Sequence, residues 1–459
     1  MAKKLWGGRF KKKIDSDFEE FSKSIHYDYK LARVDVFHSI IHTGALRGSK
    51  LLTKQESTKI VNALNSIIRE IDNGKFKPNP RSEDIHTDIH NRLEKKIGKL
   101  AAKVHTLRSR NDQIAFNEKF YCLNEALNIR ELLKNVINSF LFLIKRYDRH
   151  PFIGYTHTQR AQVILFSDYL FAYGQMLVRD SKRVKQFYDS LIPYIGAGAL
   201  AGTALHKKEY FKAIDELFDY DQIIPGKVKS VENSLDNVSD RDFLIEFLGI
   251  ISIIQMHLSR FAEDIILYST QEYNYLDLPE EFCTGSSLMP HKKNPDFLEL
   301  LRGYTGMIYG NQLALMTMMK GLPLTYNRDM QLDKQPLFSS VEIIKSELKI
   351  MAKFIKGIKL NQKIIENALL DESLYATELA EFLVFEGVAF GDAHNVVGKL
   401  IRYSEDKNIQ IKKISDKILK TFHKKLTQKV LRKVMRASFA VASKKSINKK
   451  NRKVLAINA

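Results

Sequence analysis

At 459 residues, with 44% hydrophobic content and a formal net charge of +20, the chain is long enough for two or three domains around a substantial core. No uninterrupted apolar run approaches the ~20 residues of a membrane span, and residues 1–6 lead into polar sequence without a signal-peptide core. Cys122 and Cys283 are too few for a disulfide framework or a zinc site, which favours a reducing cytoplasm.

Taken in chain order, the first clear element is a helix opened by the capping box Thr53 and Glu56, striped by Ile60, Leu64, Ile67 and Ile71, and ended by Gly74. No proline interrupts the stretches between Pro80 and Pro151, Pro151 and Pro193, or Pro225 and Pro279, nor any residue after Pro336, so long helices can run there. From Asp240 to Tyr275 the apolar positions, among them Phe243, Phe247, Ile251, Leu258 and Ile265, cover most faces of a helix, which belongs inside a bundle or between subunits. Few segments alternate with period two, and neither a GxGxxG nor a Walker loop occurs. The expectation is an all-α chain in three parts: a helical head over residues 1–110, a central bundle of long helices over 111–360, and a helical tail over 361–459. Residues 417–459 hold fourteen Lys and Arg and no Asp or Glu, so most of the net charge sits in one terminal segment. That favours a solvated, Lys-biased end over nucleic-acid or membrane binding.

One string concentrates chemistry: Thr284-Gly285-Ser286-Ser287-Leu288-Met289-Pro290-His291-Lys292-Lys293-Asn294-Pro295-Asp296. Gly285 permits unusual backbone geometry and two prolines restrict the turn, so Ser286 can be presented on a loop that closes over a ligand. Lys292 and Asn294 supply a cation and N–H donors for a carboxylate and any further negative charge that develops on it.

Gly285, Ser286, Met289, Lys292 and Asn294 meet all five positions of G-S-x-x-M-x-x-K-x-N, and the string resembles the signature of the fumarase/aspartase superfamily. Further strings are similar to those of the argininosuccinate lyases in particular. They are Leu5-Trp6-Gly7-Gly8-Arg9-Phe10, Ser82-Glu83-Asp84-Ile85-His86, Arg108-Ser109-Arg110-Asn111-Asp112-Gln113, Thr156-His157-Thr158-Gln159-Arg160-Ala161-Gln162 and Tyr326-Asn327-Arg328-Asp329-Met330-Gln331-Leu332-Asp333-Lys334. Departures from the family pattern are His291 where Gln is usual, His38 where Gly is usual, and Ala440-Val441 where two glycines usually follow Arg436-Ala437-Ser438-Phe439.

The resemblance implies a three-part fold whose long helices pair into a homotetramer with shared active sites, and a reversible elimination of argininosuccinate to L-arginine and fumarate. It implies that Ser286 is the base, acting as an alkoxide with Lys292 lowering its pKa. It implies His157 on the leaving-group side, oriented by Glu299. Substrate binding falls by the same resemblance to Ser24, His86, Ser109, Arg110, Asn111, Thr156, Asn294, Tyr326, Gln331 and Lys334, with Arg110 and Lys334 as the carboxylate partners. The pairs His38/His42 and His86/His90 have helical spacing but no third ligand in a metal-binding pattern, and the elimination needs neither metal nor cofactor. Two alternatives stand beside this reading: another superfamily enzyme, chiefly adenylosuccinate lyase because of His291, and a non-catalytic, crystallin-like structural protein.

Overall fold

A computed structural model describes residues 11–216 and 227–445. The residue 5–10 string and the end of the basic tail lie outside the described residues. Helices α1 (Ala32–Gly48), α2 (Lys54–Asp72), α3 (Ile85–Ile97) and α4 (Arg110–Arg146) precede a hairpin of β1 (Pro151–Thr156) and β2 (Gln159–Leu165). Four long helices follow, α5 (Phe166–Ser190), α6 (Asp242–Ser269), α7 (Asp296–Met319) and α8 (Lys334–Gly357). After them come α9 (Ala376–Phe385), α10 (Phe390–Asp406), α11 (Asp416–Phe422), α12 (Gln428–Val434) and α13 (Ala437–Ser443). Strands among the described residues form only two-stranded pairs, so the architecture is helical as expected.

The chain divides into two compact units, one of residues 1–130, 182–253 and 305–345, the other of 131–181, 254–304 and 346–459. In the first, α1 packs against α2 and α3. The capping box of α2 forms both ways, Glu56 N donating to Thr53 Oγ1 at 3.1 Å and Thr53 N to Glu56 Oε2 at 2.9 Å. Ile60, Leu64 and Ile67 are fully buried, and Gly74 ends the helix at φ 68°. Most of α1 is buried, including the polar residues Asp35, His38 and His42, so this helix reaches the core with side chains that demand partners.

In the second unit β1 and β2 pair antiparallel, and α9 packs on α10. The segment from residue 417 to 445 is not a solvated end. It folds into α11 to α13 and buries Leu419, Leu426, Leu431, Val434 and Met435, while its lysines and arginines line the outer face. Composition concealed an amphipathic pattern there.

Helix α6 is long and apolar enough to cross a membrane, yet 61% of that stretch is buried inside the chain itself. Phe247, Ile251, Ile254 and Ile265 are fully covered, which meets the first of the two expectations for this helix. The large exposed apolar face belongs instead to α7, where Leu300, Met307, Leu313 and Met316 are each 49–63% exposed. Gly303, Gly306 and Gly310 leave open space on the same helix.

Candidate active site

A cavity of about 430 Å³ opens in the first unit, within the ~300–1,000 Å³ range of small-molecule sites. Ser24, His86, Arg110, Asn111, Tyr326, Gln331 and Lys334 line it, seven of the fourteen residues expected from sequence. Asp28, Glu83, Asp84, His105, Arg108 and Arg328 complete its polar wall. All of these but Asp28 sit in or beside quoted strings, so proximity to a motif could have flagged them; Asp28 carried no such signal.

Local backbone aims these side chains. Leu107 at φ 57° and Thr325 at φ 76° hold left-handed conformations immediately before Arg108 and Tyr326, a strain that persists only where the surroundings impose it. Ser109 starts α4, its Oγ accepting from Asn111 N at 3.2 Å, and it caps the helix without lining the cavity. Asn111 donates to Ala199 O at 3.1 Å, and Asp112 accepts from Gly196 N at 3.1 Å and Ala197 N at 3.0 Å. A Cβ at Gly198 would sit 2.1 Å from Gly202 O, so only glycine lets this loop fold back against the start of α4. Burial outweighs these donors and raises Asp112 to about 6.

Behind the cavity, Asp35 gathers three elements. Its Oδ1 lies 2.7 Å from His86 Nδ1 on α3 and accepts from Asn117 at 2.9 Å and from Gln113, both on α4. The carboxylate can only accept, so it fixes a proton on His86 Nδ1 and leaves Nε2 for a ligand. Burial would raise Asp35, but the His86 imidazole, Arg108 and Asn117 together hold it well below the usual carboxylate range. His42 Nε2 donates to Thr106 O at 2.8 Å, and its Nδ1 lies 3.1 Å from Tyr210 OH. His38 stacks on Phe116 at 4.5 Å. Burial first, then Arg108, lowers His38, His42 and His105, leaving all three neutral near pH 7. Among the described residues no group of three or more His, Cys, Asp or Glu is placed to hold a metal.

The cations expected to meet carboxylates arrive already paired. Arg110 contacts Asp84 and donates to Thr87 Oγ1 at 2.9 Å; Lys334 Nζ lies 2.5 Å from Glu118 and 2.7 Å from Asp333. A buried cation without a counter-charge would be strongly destabilising, which explains the pairing. Arg108 is held by Ser39 Oγ at 3.1 Å and His105 Nδ1 at 3.3 Å, while its Nε has no partner. Arg328 is 58% exposed, 3.6 Å from Glu83, with one bond to Ser22 O. Gln331 also donates to Ser22 O, at 3.0 Å.

The remaining candidates lie in the second unit. Thr156 ends β1, and His157 and Thr158, at φ 53° and 57°, form the two-residue tip of the hairpin. His157 and Glu299 are both exposed. The Ser286 loop is closed at its base, where Thr284 and Asn294 exchange backbone bonds of 3.2 and 2.8 Å, and Asn294 Nδ2 reaches Gly285 O at 3.4 Å. Lys293 donates to Asp277 and to Leu278 O, so of the two adjacent lysines it is this one that anchors the loop. Ser286 Oγ accepts from Leu288 N at 3.3 Å and from Met289 N at 3.0 Å. A base at Ser286 needs donors as well as a cation around its oxygen, and these two backbone N–H groups are such donors.

A family model described as lyase matches residues 8–310, and one described as argininosuccinate lyase C-terminal matches residues 373–442. An argininosuccinate lyase from Carboxydothermus hydrogenoformans is 43% identical over 90% of this chain and 89% of its own length. One from Caldicellulosiruptor saccharolyticus is 41% identical over 94% of this chain and 91% of its own. Among solved structures, an EDDS lyase variant with bound fumarate superposes at a TM-score of 0.79 and 20% identity, covering 98% of this chain and 89% of that one, which is a likeness of fold.

Proposed function

Because the chain belongs to the argininosuccinate lyase family, we propose that it catalyses the reversible elimination of argininosuccinate to L-arginine and fumarate in the cytoplasm. The observation that carries the reading to the residues is the cavity on which Ser24, His86, Arg110, Asn111, Tyr326, Gln331 and Lys334 converge from separate stretches of sequence. A substrate with three carboxylates and a guanidinium needs donors and acceptors of both signs, and this wall offers both.

Ser286 takes the proton from the carbon beside a carboxylate, its alkoxide held by Leu288 N, Met289 N and the Lys292 charge. Asn294 and Lys292 stabilise the doubly negative carboxylate that forms. The C–N bond then breaks with its electron pair passing to the guanidine, and a proton reaches that nitrogen from the His157 side, with Glu299 stabilising the imidazolium. Ser109 and Thr156 complete the polar contacts in this scheme.

Half of the proposed residues do not line the cavity, and α7 carries an uncovered apolar face, which together support a homotetramer whose active sites combine residues of several subunits. The three-part division at residues 110 and 360 belongs to the same proposal. The test is direct: purified protein incubated separately with argininosuccinate and adenylosuccinate should release fumarate only from the first. Release from adenylosuccinate instead, or from neither with folded protein, would refute the assignment.

A further inference from the structure

Lys334 does not face the cavity as a lone cation. Glu118 from α4, Arg241 just before α6, and Asp333 and Lys334 at the start of α8 form a closed ring of charges, none more than 3% exposed. Lys334 Nζ is 2.5 Å from Glu118 Oε1 and donates to Asp333 Oδ1 at 2.7 Å. Arg241 Nε is 3.1 Å from Glu118 Oε2 and donates to Asp333 Oδ2 at 2.5 Å. Each carboxylate thus bridges the two cations through different oxygens, and the ring sums to zero charge. Only Lys334 among the four lines the cavity.

We propose that Arg241 is a positioning residue for substrate carboxylate binding, acting through Glu118 and Asp333 on Lys334; the proposal rests on the reading of Lys334 as a carboxylate partner. Charges in this interior are poorly screened and act strongly on one another. Without Arg241, two carboxylates face one ammonium, and an incoming anion meets a net negative charge. With Arg241 it meets a neutral ring and an ammonium held on two sides, its remaining N–H free to point at the ligand. Arginine suits this place because its delocalised charge meets both carboxylates at Nε while a second nitrogen, Nη1, donates to Asp240 O at 2.7 Å and fixes the guanidinium on its own backbone.

The experiment uses the full-length enzyme and measures KM for argininosuccinate and the inhibition constants of L-arginine and fumarate. Lys334→Met identifies which product loses affinity, and that product is the probe for the rest. Arg241→Met should weaken the probe about tenfold or more with a much smaller change in kcat. Glu118→Gln, which leaves the ring one charge positive, should have the opposite sign and tighten it. The double variant Glu118→Gln/Arg241→Met is neutral again and should recover most of the lost affinity, a charge-specific rescue that a merely structural role would not give. Should Arg241→Met fail to fold, the sign of the Glu118→Gln effect decides: weaker or unchanged binding overturns the proposal. Loss in Lys334→Met but not in folded Arg241→Met overturns the positioning role alone. No loss in Lys334→Met overturns the reading of Lys334 and, with it, this inference.

Discussion

Ser286 Oγ accepts from two backbone donors, Leu288 N and Met289 N, which favour an anionic oxygen over a neutral one. Ser286→Ala removes that base without adding bulk, and kcat should fall by ~10²–10⁴ while substrate binding changes little. Steady-state kinetics beside a direct binding measurement checks this, and near-normal turnover would move the base elsewhere. A second residue makes a prediction about pH. Burial raises Glu347 from an ordinary 4.5 to about 8. Between those values the folded chain holds a proton that the unfolded chain releases, so this group's stabilisation is fully present below about 4.5 and is lost as pH rises through about 8. Glu347→Gln should therefore melt progressively higher than wild type as pH is raised from 6 towards roughly 9, as thermal unfolding at several pH values would show. At this scale the sequence revealed residue types but not partners. Ser286, Arg110 and Lys334 stood out in strings, whereas Glu118 and Arg241, which hold Lys334, come from other parts of the chain, where no local pattern links them.

Helices were legible where local chemistry agreed with global packing. The Thr53/Glu56 box and Gly74 bound α2, and proline-free stretches hold α4, α5, α6 and all of α8 beyond Pro336 in its first turn. The hairpin carrying Thr156 and His157 was not legible, because its turn uses His157 and Thr158 at positive φ where Asn-Gly would have announced it. Thr158 is β-branched, and asparagine tolerates that conformation better; Thr158→Asn should stabilise the protein by about 1 kcal/mol, read as a higher Tm. The basic tail was misread because its lysines dominate the composition, while Leu419, Leu426, Leu431, Val434 and Met435 supply the buried side. At ~1.5–3 kcal/mol for each such side chain, their burial is comparable with the whole ~5–15 kcal/mol stability of a typical domain. Truncation after Asp416 should therefore yield aggregated or largely unfolded protein, and a soluble, cooperatively melting product would contradict that packing.

For the whole molecule, the fold class followed from what the sequence lacked as much as from what it contained. Apolarity all round drew attention to α6, 61% of whose most apolar stretch is buried, whereas α7 leaves Leu300, Met307, Leu313 and Met316 exposed beside Gly303, Gly306 and Gly310. Large residues next to open glycine surface suit the close approach of another helix. If copies of this chain meet there and share active sites, Ser286 and His157 of one site come from different polypeptides. Two inactive variants, Ser286→Ala and His157→Asn, should then rescue each other when their subunits are mixed and allowed to reassemble. Equal random mixing gives each site about one half times one half, or about one quarter, chance of holding both intact residues, provided closed symmetry makes the sites equivalent. Activity of the mixture should approach that fraction of wild type, and it should appear only after subunit exchange, because each parent alone lacks one residue at every site. Mixtures that stay inactive despite exchange verified by mass spectrometry, or an active monomer in sedimentation, would show that one chain builds its site alone.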